Sequence, residues 1–331
     1  MKKKLFAIIS IALAVMMLCS ACGSSGGNTE ADAAPVDTDT VAVGAVVIAR
    51  DDVPEDEIYA FVSTIFENVD AITEQHGKGA ELDLDFATSM TAVPYHPGAA
   101  KYFAEKGYEV AVKEGAGVGE AIDLTFGTGG EAGTYYGFGS VLANFVSNSN
   151  DFTVTAVTSG GSKANIEDMD SGDVQLGFVQ SDVMSYGYNG ERLFESPVEG
   201  FSVVAALYME QVQIVTTDSS IKTVADLKGK TVSIGAVGSG VYFNAIDVLD
   251  AYGMTEDDIK PVYQSFGDSA DSLKDGKIDA AFIVAGAPTT AITDLATAGN
   301  VYLVSLDKEH TDSLLDASPF YSAYTIPAGT Y

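Results

Sequence analysis

Residues 122–136 read Ile-Asp-Leu-Thr-Phe-Gly-Thr-Gly-Gly-Glu-Ala-Gly-Thr-Tyr-Tyr, which is an apolar strand followed by a glycine-rich turn. After the turn, apolar side chains recur at helical spacing, at Tyr135, Phe138, Val141, Leu142, Phe145 and Val146. Glycines let a ligand reach the free N–H groups at the start of a helix, and those groups favour anions. The stretch predicts a strand, a turn and a helix of an α/β fold, with a ligand at the turn. A tight turn that holds no ligand is the alternative.

The same turn has the spacing of a dinucleotide-binding turn, Gly127-x-Gly129-x-x-Ala132. Such a turn also requires an acidic residue about 20 positions later, at the end of the second strand. Here the second strand ends in Val157-Thr-Ser-Gly-Gly-Ser162, which contains no carboxylate. The sequence therefore disfavours a dinucleotide-dependent oxidoreductase, which is the alternative enzyme hypothesis.

Comparable turns follow other predicted strands, in both halves of the chain. They lie at Thr158–Ser162, Gln180–Asp182, Gly235–Gly240 and Ala285–Thr289. Ligands of open α/β sheets bind beyond the carboxyl ends of the strands. Several small, polar turns in each half therefore predict one ligand that is held between two lobes.

Apolar strands alternate with helical stretches along most of the chain. The predicted strands are Val41–Ala49, Ile122–Phe126, Phe152–Val157, Val174–Val179, Val203–Leu207, Val212–Thr216, Thr231–Ile234, Pro261–Gln264, Ala280–Val284 and Val301–Leu306. Near the start, one helix is predicted from Pro54 to Ile72 and another over Pro97–Lys106. This alternation predicts parallel sheets that are covered on both faces. Because one small sheet would not hold so many strands, we expect two α/β lobes with a cleft between them.

Composition and charge exclude one large class of function. The chain of 331 residues carries 47 acidic and 17 basic residues, which gives a formal net charge of −30. Phosphate backbones repel such a surface, and no basic stripe is present, so we expect no nucleic-acid partner. Hydrophobic residues make up 47% of the chain, which is enough for folded cores.

The sequence offers little for catalysis. The three histidines, His76, His96 and His310, are far apart and are predicted to be surface or structural residues. Ser239 lies in Gly-Ser-Gly without the wider pattern of a nucleophile elbow, and no cysteines or histidines have zinc-site spacing. We therefore predict no catalytic residue, no metal and no cofactor.

The first residues form a targeting segment. Lys2 to Lys4 are a positive n-region, and Leu5 to Leu18 are an apolar run that is short for a membrane span. Small residues before Cys22 predict a lipoprotein signal peptide at 1–22, with Cys22 as the lipid-bearing residue. An ordinary cleaved signal peptide with incidental cysteines is the alternative. Residues 23–39 are predicted to be a flexible tether.

Motifs across residues 121–331 resemble the TAXI-type solute receptors of TRAP transporters. They are Gly127-Thr-Gly-Gly, Gly133-Thr-Tyr-Tyr, Ser159-Gly-Gly-Ser with Asn165, Gly177-Phe-Val-Gln-Ser-Asp182, Val224-Ala-Asp-Leu-Lys-Gly-Lys230, Gly238-Ser-Gly240, Asp275-Gly-Lys-Ile-Asp-Ala-Ala281 and Ile326-Pro-Ala-Gly-Thr-Tyr331. Ser159 stands where the family has threonine, and Val241 stands where threonine usually follows Gly-Ser-Gly. The resemblance implies a two-lobe periplasmic-binding-protein type II fold with a ligand cleft between the lobes.

The order of segments departs from the family, whose Ile-Pro-Ala-Gly-Thr-Tyr segment is followed by further structure. That structure resembles residues 40–107 of this chain, which include Pro94-Tyr-His-Pro-Gly-Ala99. The chain is therefore similar to a circular permutant, with 108–120 as a linker, 121–216 as lobe 1, and 217–331 as lobe 2 and the return to the hinge. This hypothesis predicts that Tyr331 lies near Asp37–Val41. A gene-assembly artefact is the alternative.

The resemblance implies an extracytoplasmic receptor that binds glutamate, 2-oxoglutarate or a similar small carboxylate for ion-coupled uptake. Its partner would be a TRAP membrane permease, and the lipid at Cys22 would hold it at the outer face of the cytoplasmic membrane, or it would lie in the periplasm. A receptor that serves a sensor kinase is an alternative. The predicted ligand-binding residues are Thr128, Gly129, Gly130, Thr134, Tyr135, Ser159, Gly160, Ser162, Gln180, Asp182, Tyr208, Gly238 and Ser239. For Asp182, Tyr208 and Glu210, which would read an amino group, a purely structural role is the alternative.

Overall fold

The computed structural model describes residues 36–120 and 123–331. The predicted signal peptide at 1–22, the lipid site at Cys22 and most of the predicted tether lie outside these residues. None of the helices in the described part of the chain combines the length and the hydropathy that a membrane span needs.

Strands and helices alternate along the described residues. The strands are β1 Thr38–Arg50, β2 Leu124–Gly127, β3 Val154–Val157, β4 Leu176–Gln180, β5 Phe201–Thr216, β6 Thr231–Ser233, β7 Lys260–Val262, β8 Ala280–Ala285, β9 Tyr302–Leu303 and β10 Ser322–Ile326. The helices are α1 Glu55–Glu67, α2 Val69–Gln75, α3 Leu84–Ala87, α4 Pro97–Glu105, α5 Thr134–Ser149, α6 Ser162–Asp170, α7 Ser181–Asn189, α8 Val241–Ala251, α9 Phe266–Lys274, α10 Thr290–Ala298 and α11 Lys308–Ala317.

The strands of the described chain form one mixed sheet in the order β3-β2-β4-β1-β5-β8-β6-β7, with β10 paired to β1 and β9 to β5. The pairs β2–β3, β2–β4, β6–β7 and β6–β8 are parallel, as the alternation of strands and helices predicts. The two central strands, β1 and β5, are antiparallel to all their neighbours. The prediction of separate, wholly parallel sheets is therefore wrong at the centre.

Two long strands connect two lobes. In β1, residues 45–49 pair with β4, whereas residues 38–42 pair with β10. In β5, residues 211–216 pair with β8, beyond the part of the strand that pairs with residues 45–50 of β1. We call the part built on β2, β3 and β4 lobe 1, and the part built on β6, β7 and β8 lobe 2. The predicted α/β class with two lobes is confirmed by this topology, and the exact lobe boundaries stay a prediction.

Strand β5 differs from the sequence prediction, which has two strands, Val203–Leu207 and Val212–Thr216. The structure has one strand of 16 residues, and it is buried along almost its whole length. The polar residues Glu210 and Gln211 interrupt the apolar pattern there, although both are buried and no turn-forming glycine or proline accompanies them. The polar residues in this strand therefore mark a site within the sheet and not a turn.

Separate hydrophobic cores support the lobes. The core of lobe 1 includes Phe61 and Phe103 from α1 and α4 together with Phe126 and Phe178 from the sheet. In lobe 2, two further clusters contain alternate residues of β8, such as Phe282 in one and Ile283 in the other. Because side chains alternate between the faces of a strand, these clusters lie on opposite faces of the lobe 2 sheet.

The first helices lie close to their predicted positions. The predicted helix from Pro54 to Ile72 is interrupted at Asn68, whose side-chain amide donates to the carbonyl of Thr64 at 2.7 Å. Asparagine competes with the helix for backbone hydrogen bonds in this way. The predicted helix over Pro97–Lys106 is confirmed as α4.

The C-terminal segment runs beside the start of β1. Strand β10 pairs with β1 from Thr38↔Ile326 to Ala42↔Ser322, and the amide of Ala328 donates to Oδ1 of Asp37 at 2.9 Å. This places Ala328, three residues before Tyr331, beside Asp37, while the hydroxyl of Tyr331 itself contacts Gln213 and accepts from the amide of Thr289. The predicted proximity of Tyr331 to Asp37–Val41 stays a prediction. The permuted order itself stays a prediction.

Candidate ligand-binding cleft

A cavity of about 420 Å³ lies between the two lobes. It is lined by residues at or just beyond the carboxyl ends of β2, β3 and β4 on one side and of β6, β7 and β8 on the other. The lining residues are Gly129–Tyr135, Ser159–Ser162, Gln180, Glu210, Ala236, Ser239–Val241, Ser265–Asp268, Asp271, Val284 and Ala285. The glycine turns predicted in both halves of the sequence therefore meet around one cavity.

Four helices begin at this cavity, namely α5 and α6 in lobe 1 and α8 and α9 in lobe 2. The first residues of each helix, Thr134, Ser162, Val241 and Phe266, are among the lining residues. The first N–H groups of a helix have no carbonyl partner within it, and the helix dipole adds positive potential at that end. These helix starts therefore offer N–H donors and a local positive potential to an anionic group.

Asn165 holds the lobe 1 turns in place. Its side-chain amide donates to the carbonyl of Thr128 at 2.8 Å and to that of Phe178 at 2.7 Å. It is fully buried, so it satisfies two backbone acceptors that water does not reach. Gly161, at the start of α6, has a φ of 103°, which favours glycine at this position.

Glu210, which belongs to the connecting strand β5, and Tyr135, in the first turn of α5, form the floor of the cavity. The hydroxyl of Tyr135 donates to Oε2 of Glu210 at 2.6 Å, and its ring stacks on Phe178 with centroids 4.6 Å apart. Glu210 is only 2% exposed. Burial raises the pKa of Glu210 to about 8, with the nearby Asp182 adding to the rise, while the hydrogen bond from Tyr135 and the charge of Lys78 oppose it.

Gln180 links the two lobes at the back of the cavity. Its Nε2 donates to Oδ1 of Asn244 at 3.0 Å, and Nδ2 of Asn244 donates to Oδ2 of Asp182 at 2.9 Å. The same Nδ2 also donates to the hydroxyl of Tyr321 at 2.9 Å. Burial, with the charge of Asp247, raises the pKa of Asp182 to about 7. Asp182 therefore serves the contact between lobes and does not line the cavity.

Further contacts, in addition to this network, join the two lobes. The amide of Ala164 donates to the carbonyl of Gly238 at 3.0 Å, and the hydroxyl of Thr134 donates to that of Gly286 at 3.0 Å. Arg192 and Asp247 form an ion pair through two contacts of 2.8 and 3.0 Å. The structure is therefore a closed form of the cleft.

Nine of the predicted ligand-binding residues line the cavity: Gly129, Gly130, Thr134, Tyr135, Ser159, Gly160, Ser162, Gln180 and Ser239. Thr128, Asp182, Tyr208 and Gly238 do not line it. The hydroxyl of Thr128 donates to the carbonyl of Val157 at 2.6 Å, and Tyr208 is buried behind the cavity beneath Lys78. These side chains support the turns and the floor from behind.

Several lining residues were not among the predicted ones. Glu131, Asp268 and Asp271 are acidic, and Phe266 and Val241 are apolar. These residues share a position that the sequence could have indicated: each lies within the first two turns of a helix or in the turn before it. The residues of α9 follow β7, a strand of three residues, whose end gives a weak sequence signal.

None of the three histidines lines the cavity. His96 caps α4 and is fully buried, and burial lowers its pKa to about 4. No group of three or more potential metal ligands occurs within residues 36–120 and 123–331.

Comparison with solved structures gives matches of low identity. SsuA from Escherichia coli, a periplasmic aliphatic sulphonate binding protein, is 19% identical over 56% of this chain and 60% of that one, with a TM-score of 0.35. The alkanesulfonate-binding protein SsuA from Xanthomonas axonopodis pv. citri is 19% identical over 64% of this chain and 67% of that one, with a TM-score of 0.40. An ancestral arginine-binding protein is 18% identical over 56% of this chain and 79% of that one, with a TM-score of 0.38. The chain thus spans less than two thirds of the length of the E. coli protein.

Comparison with family models covers most of the sequence. The model of the NMT1-like family matches residues 27–107 and 126–331. These segments include the two long connecting strands, every residue that lines the cavity and both lobes except the first two residues of β2. The chain belongs to the NMT1-like family.

Proposed function

We propose that this protein is an extracytoplasmic solute-binding receptor that closes its two lobes over one small molecule. The observation that carries the proposal is the cavity of about 420 Å³, which is lined from both lobes and enclosed by hydrogen bonds between them. Its size falls within the range for small-molecule sites. The two strands that connect the lobes, β1 and β5, are long enough to serve as a hinge.

We propose that the solute carries a carboxylate. Four helix starts and the small residues Gly129, Gly130 and Gly160 would present N–H groups to it, and the hydroxyls of Thr134 and Ser162 lie beside them. None of the arginines, lysines and histidines within residues 36–120 and 123–331 lines the cavity, so backbone groups would carry out this recognition. No histidine of the described residues lines the cavity, so none of its serines has the histidine base of a Ser-His pair, which favours binding without chemistry.

The partner and the location follow from the resemblance and the leader sequence. A TRAP-type membrane permease would receive the solute from the closed receptor, and a lipid on Cys22 would keep the receptor at the membrane surface. In this arrangement the signal peptide occupies residues 1–22 and the tether begins at residue 23. A closed lobe pair presents one defined shape to such a permease, which an open pair does not.

A thermal-shift screen of residues 23–331 tests the binding proposal. The solutes would be glutamate, glutamine, 2-oxoglutarate, succinate, fumarate and neutral amino acids. A solute at 100 times its dissociation constant adds about 2.7 kcal/mol to the free energy of unfolding, which gives a clear shift of the melting temperature. A cooperative melt that no solute shifts would contradict the proposal.

A further inference from the structure

The charged residues that line the cavity are all acidic. They are Glu131, Glu210, Asp268 and Asp271, and no basic side chain of the described residues lines the cavity. Next to it, an outer cavity of about 520 Å³ shares Asp268 and Asp271 as its wall. The basic residue of that outer cavity, Lys277, pairs with Asp275 at 2.8 Å. A solute with only negative groups would therefore approach the site against a repulsive field.

Glu210 is the buried member of this acidic group. Its carboxyl accepts from the hydroxyl of Tyr135, but a hydroxyl does not neutralise a carboxylate. Lys78, whose positive charge acts on Glu210, is engaged with Glu81, and its Nζ lies 5.3 Å from the ring centroid of Tyr208. A buried carboxylate is costly unless a positive group pairs with it, so Glu210 without such a partner keeps its proton at pH 7, in agreement with its raised pKa.

Two buried side-chain oxygens of the lining residues have no hydrogen-bond partner within the described residues, and both can accept hydrogen bonds. Gln180 is 2% exposed, and its buried Oε1 accepts no hydrogen bond within the described residues. Oγ of Ser239, on the opposite lobe, is also buried and without a partner there. A protonated amine has three N–H donors and no acceptor, so it complements both the carboxyl of Glu210 and the carbonyl oxygen of Gln180.

We propose that the solute carries a protonated amine that pairs with Glu210, so that the receptor selects amino compounds and rejects carboxylates that lack an amine. This inference rests on the proposed solute-binding function. The helix starts would hold the carboxylate of the solute, and Glu210 would hold its amine. Tyr135 spans these two regions, because it belongs to the first turn of α5 and its hydroxyl reaches Glu210.

The protonation of Glu210 supplies a second readout. Because the pKa of Glu210 is about 8, its carboxyl is mostly protonated at pH 7 before a solute binds. A bound ammonium favours the ionised carboxyl, so binding would release about one proton at pH 7. The groups around Glu210 that influence this exchange are Tyr135, Tyr208, Lys78 and Asp182. Affinity for the amine would rise by up to about tenfold per pH unit between pH 6 and 8.

The test compares amino acids with matched acids by isothermal titration. L-Glutamate is paired with 2-oxoglutarate, which replaces the amine by a ketone, and L-ornithine, L-glutamine and succinate complete the set. Glu210→Gln keeps an acceptor for Tyr135 and removes the charge. Glu195→Gln, an exposed residue away from the cavity, is the control for the loss of one charge. Titrations of the native protein at pH 7 in two buffers of different ionisation enthalpy measure the proton release without any variant.

We expect at least one amino acid to bind, its amine-free counterpart to bind at least tenfold more weakly, and Glu210→Gln to lose at least tenfold in affinity. Equal binding of 2-oxoglutarate and glutamate would overturn the inference and leave the solute-binding function in place. Unchanged amine binding by Glu210→Gln, or no proton release by the native protein, would also overturn it. If no member of the set binds a protein that melts cooperatively, both the inference and the proposed function fail.

Discussion

Gly240 is the position where one added methyl group should prevent the cleft from closing. It precedes α8 in lobe 2 and packs directly against the side chain of Gln180 of lobe 1. A Cβ built on Gly240 lies 1.7 Å from Oε1 and 2.6 Å from Cδ of Gln180, and 3.0 Å from Oγ of Ser162. Gly240 has a φ of −73° and a ψ of −19°, so alanine fits the backbone without strain. The conflict is therefore confined to the contact between the lobes.

The size of the effect follows from these distances. Ordinary contacts of a Cβ begin at 3.4 Å, so Oε1 of Gln180 would have to move by 3.4 − 1.7 = 1.7 Å. Gln180 is buried and its Nε2 is hydrogen-bonded to Asn244, so the side chain has little room to turn. Overpacking of this kind costs about 1–3 kcal/mol. Because the cost falls on the closed form alone, Gly240→Ala should weaken solute binding by about 5- to 150-fold.

A distance measurement between the lobes detects the effect directly. The only cysteines of the chain are Cys19 and Cys22, so Asn144→Cys and Asp294→Cys give one exposed label on each lobe in a chain that starts after residue 22. With solute, the native protein should show one short distance by double electron–electron resonance. Gly240→Ala should keep a longer distance at the same solute concentration.

Two further variants separate a steric block from other causes. Gln180→Ala in the Gly240→Ala background removes the atom in conflict and should restore the short distance. Gly299→Ala places a methyl group where no atom lies within 4 Å, on extended backbone, and should behave as the native protein does. A short distance and native affinity in Gly240→Ala alone would refute the closure argument.

Three other changes have effects that follow from the contacts described. Asn165→Ala leaves two buried carbonyl groups without donors and should lower the free energy of unfolding by about 2–4 kcal/mol in urea denaturation. The raised pKa of Glu210 means that the folded protein binds the extra proton, so its stability should fall from pH 5 to pH 8 by up to about 1.4 kcal/mol per pH unit. Glu210→Gln should show a smaller fall over that range. Arg192→Met and Asp247→Asn should show a coupling energy of about 1–2 kcal/mol in a double-mutant cycle of unfolding.

These three predictions have simple controls. Asn148→Ala, at an exposed position of α5, should change stability by less than about 0.5 kcal/mol. A pH dependence in Glu210→Gln that equals the native one would assign the effect to Asp182, whose pKa is also raised. Additive effects of the Arg192 and Asp247 substitutions would mean that the ion pair contributes nothing between the lobes.

The local parts of the site could be predicted from the sequence because each is a short pattern with its own physical cause. Glycines between a strand and a helix, as at Gly127–Gly133, mark a turn whatever the rest of the chain does. The carboxyl ends of parallel strands lie on one edge of a sheet, so such turns come together in space. Gly129, Ser159, Gln180 and Ser239 are predicted to meet for this reason, and all four line the cavity.

Long-range relations do not follow from the same local patterns. Thr128 and Tyr208 have suitable residue types for ligand contact, yet tertiary packing turns one toward Val157 and buries the other behind the floor. The central antiparallel strands depend on pairing between residues far apart in the chain, such as Thr38 with Ile326. No local pattern encodes such a pairing.

The acidic lining is the part of the site that the sequence pattern does not reveal. Glu210 lies in the middle of a strand, where its charge interrupts the apolar pattern and suggests a break between two strands. Asp268 and Asp271 lie on a helix with ordinary surface composition. Their common exposure to one cavity comes from how the lobes meet, which composition does not contain.

A crystal structure of the protein with its best solute from the titrations tests the central claim most directly. We expect one solute molecule between the lobes of a closed form, in contact with the starts of α5 and α8 and with Gln180. A solute bound elsewhere on the surface, or held by one lobe alone with the cleft open, would contradict it.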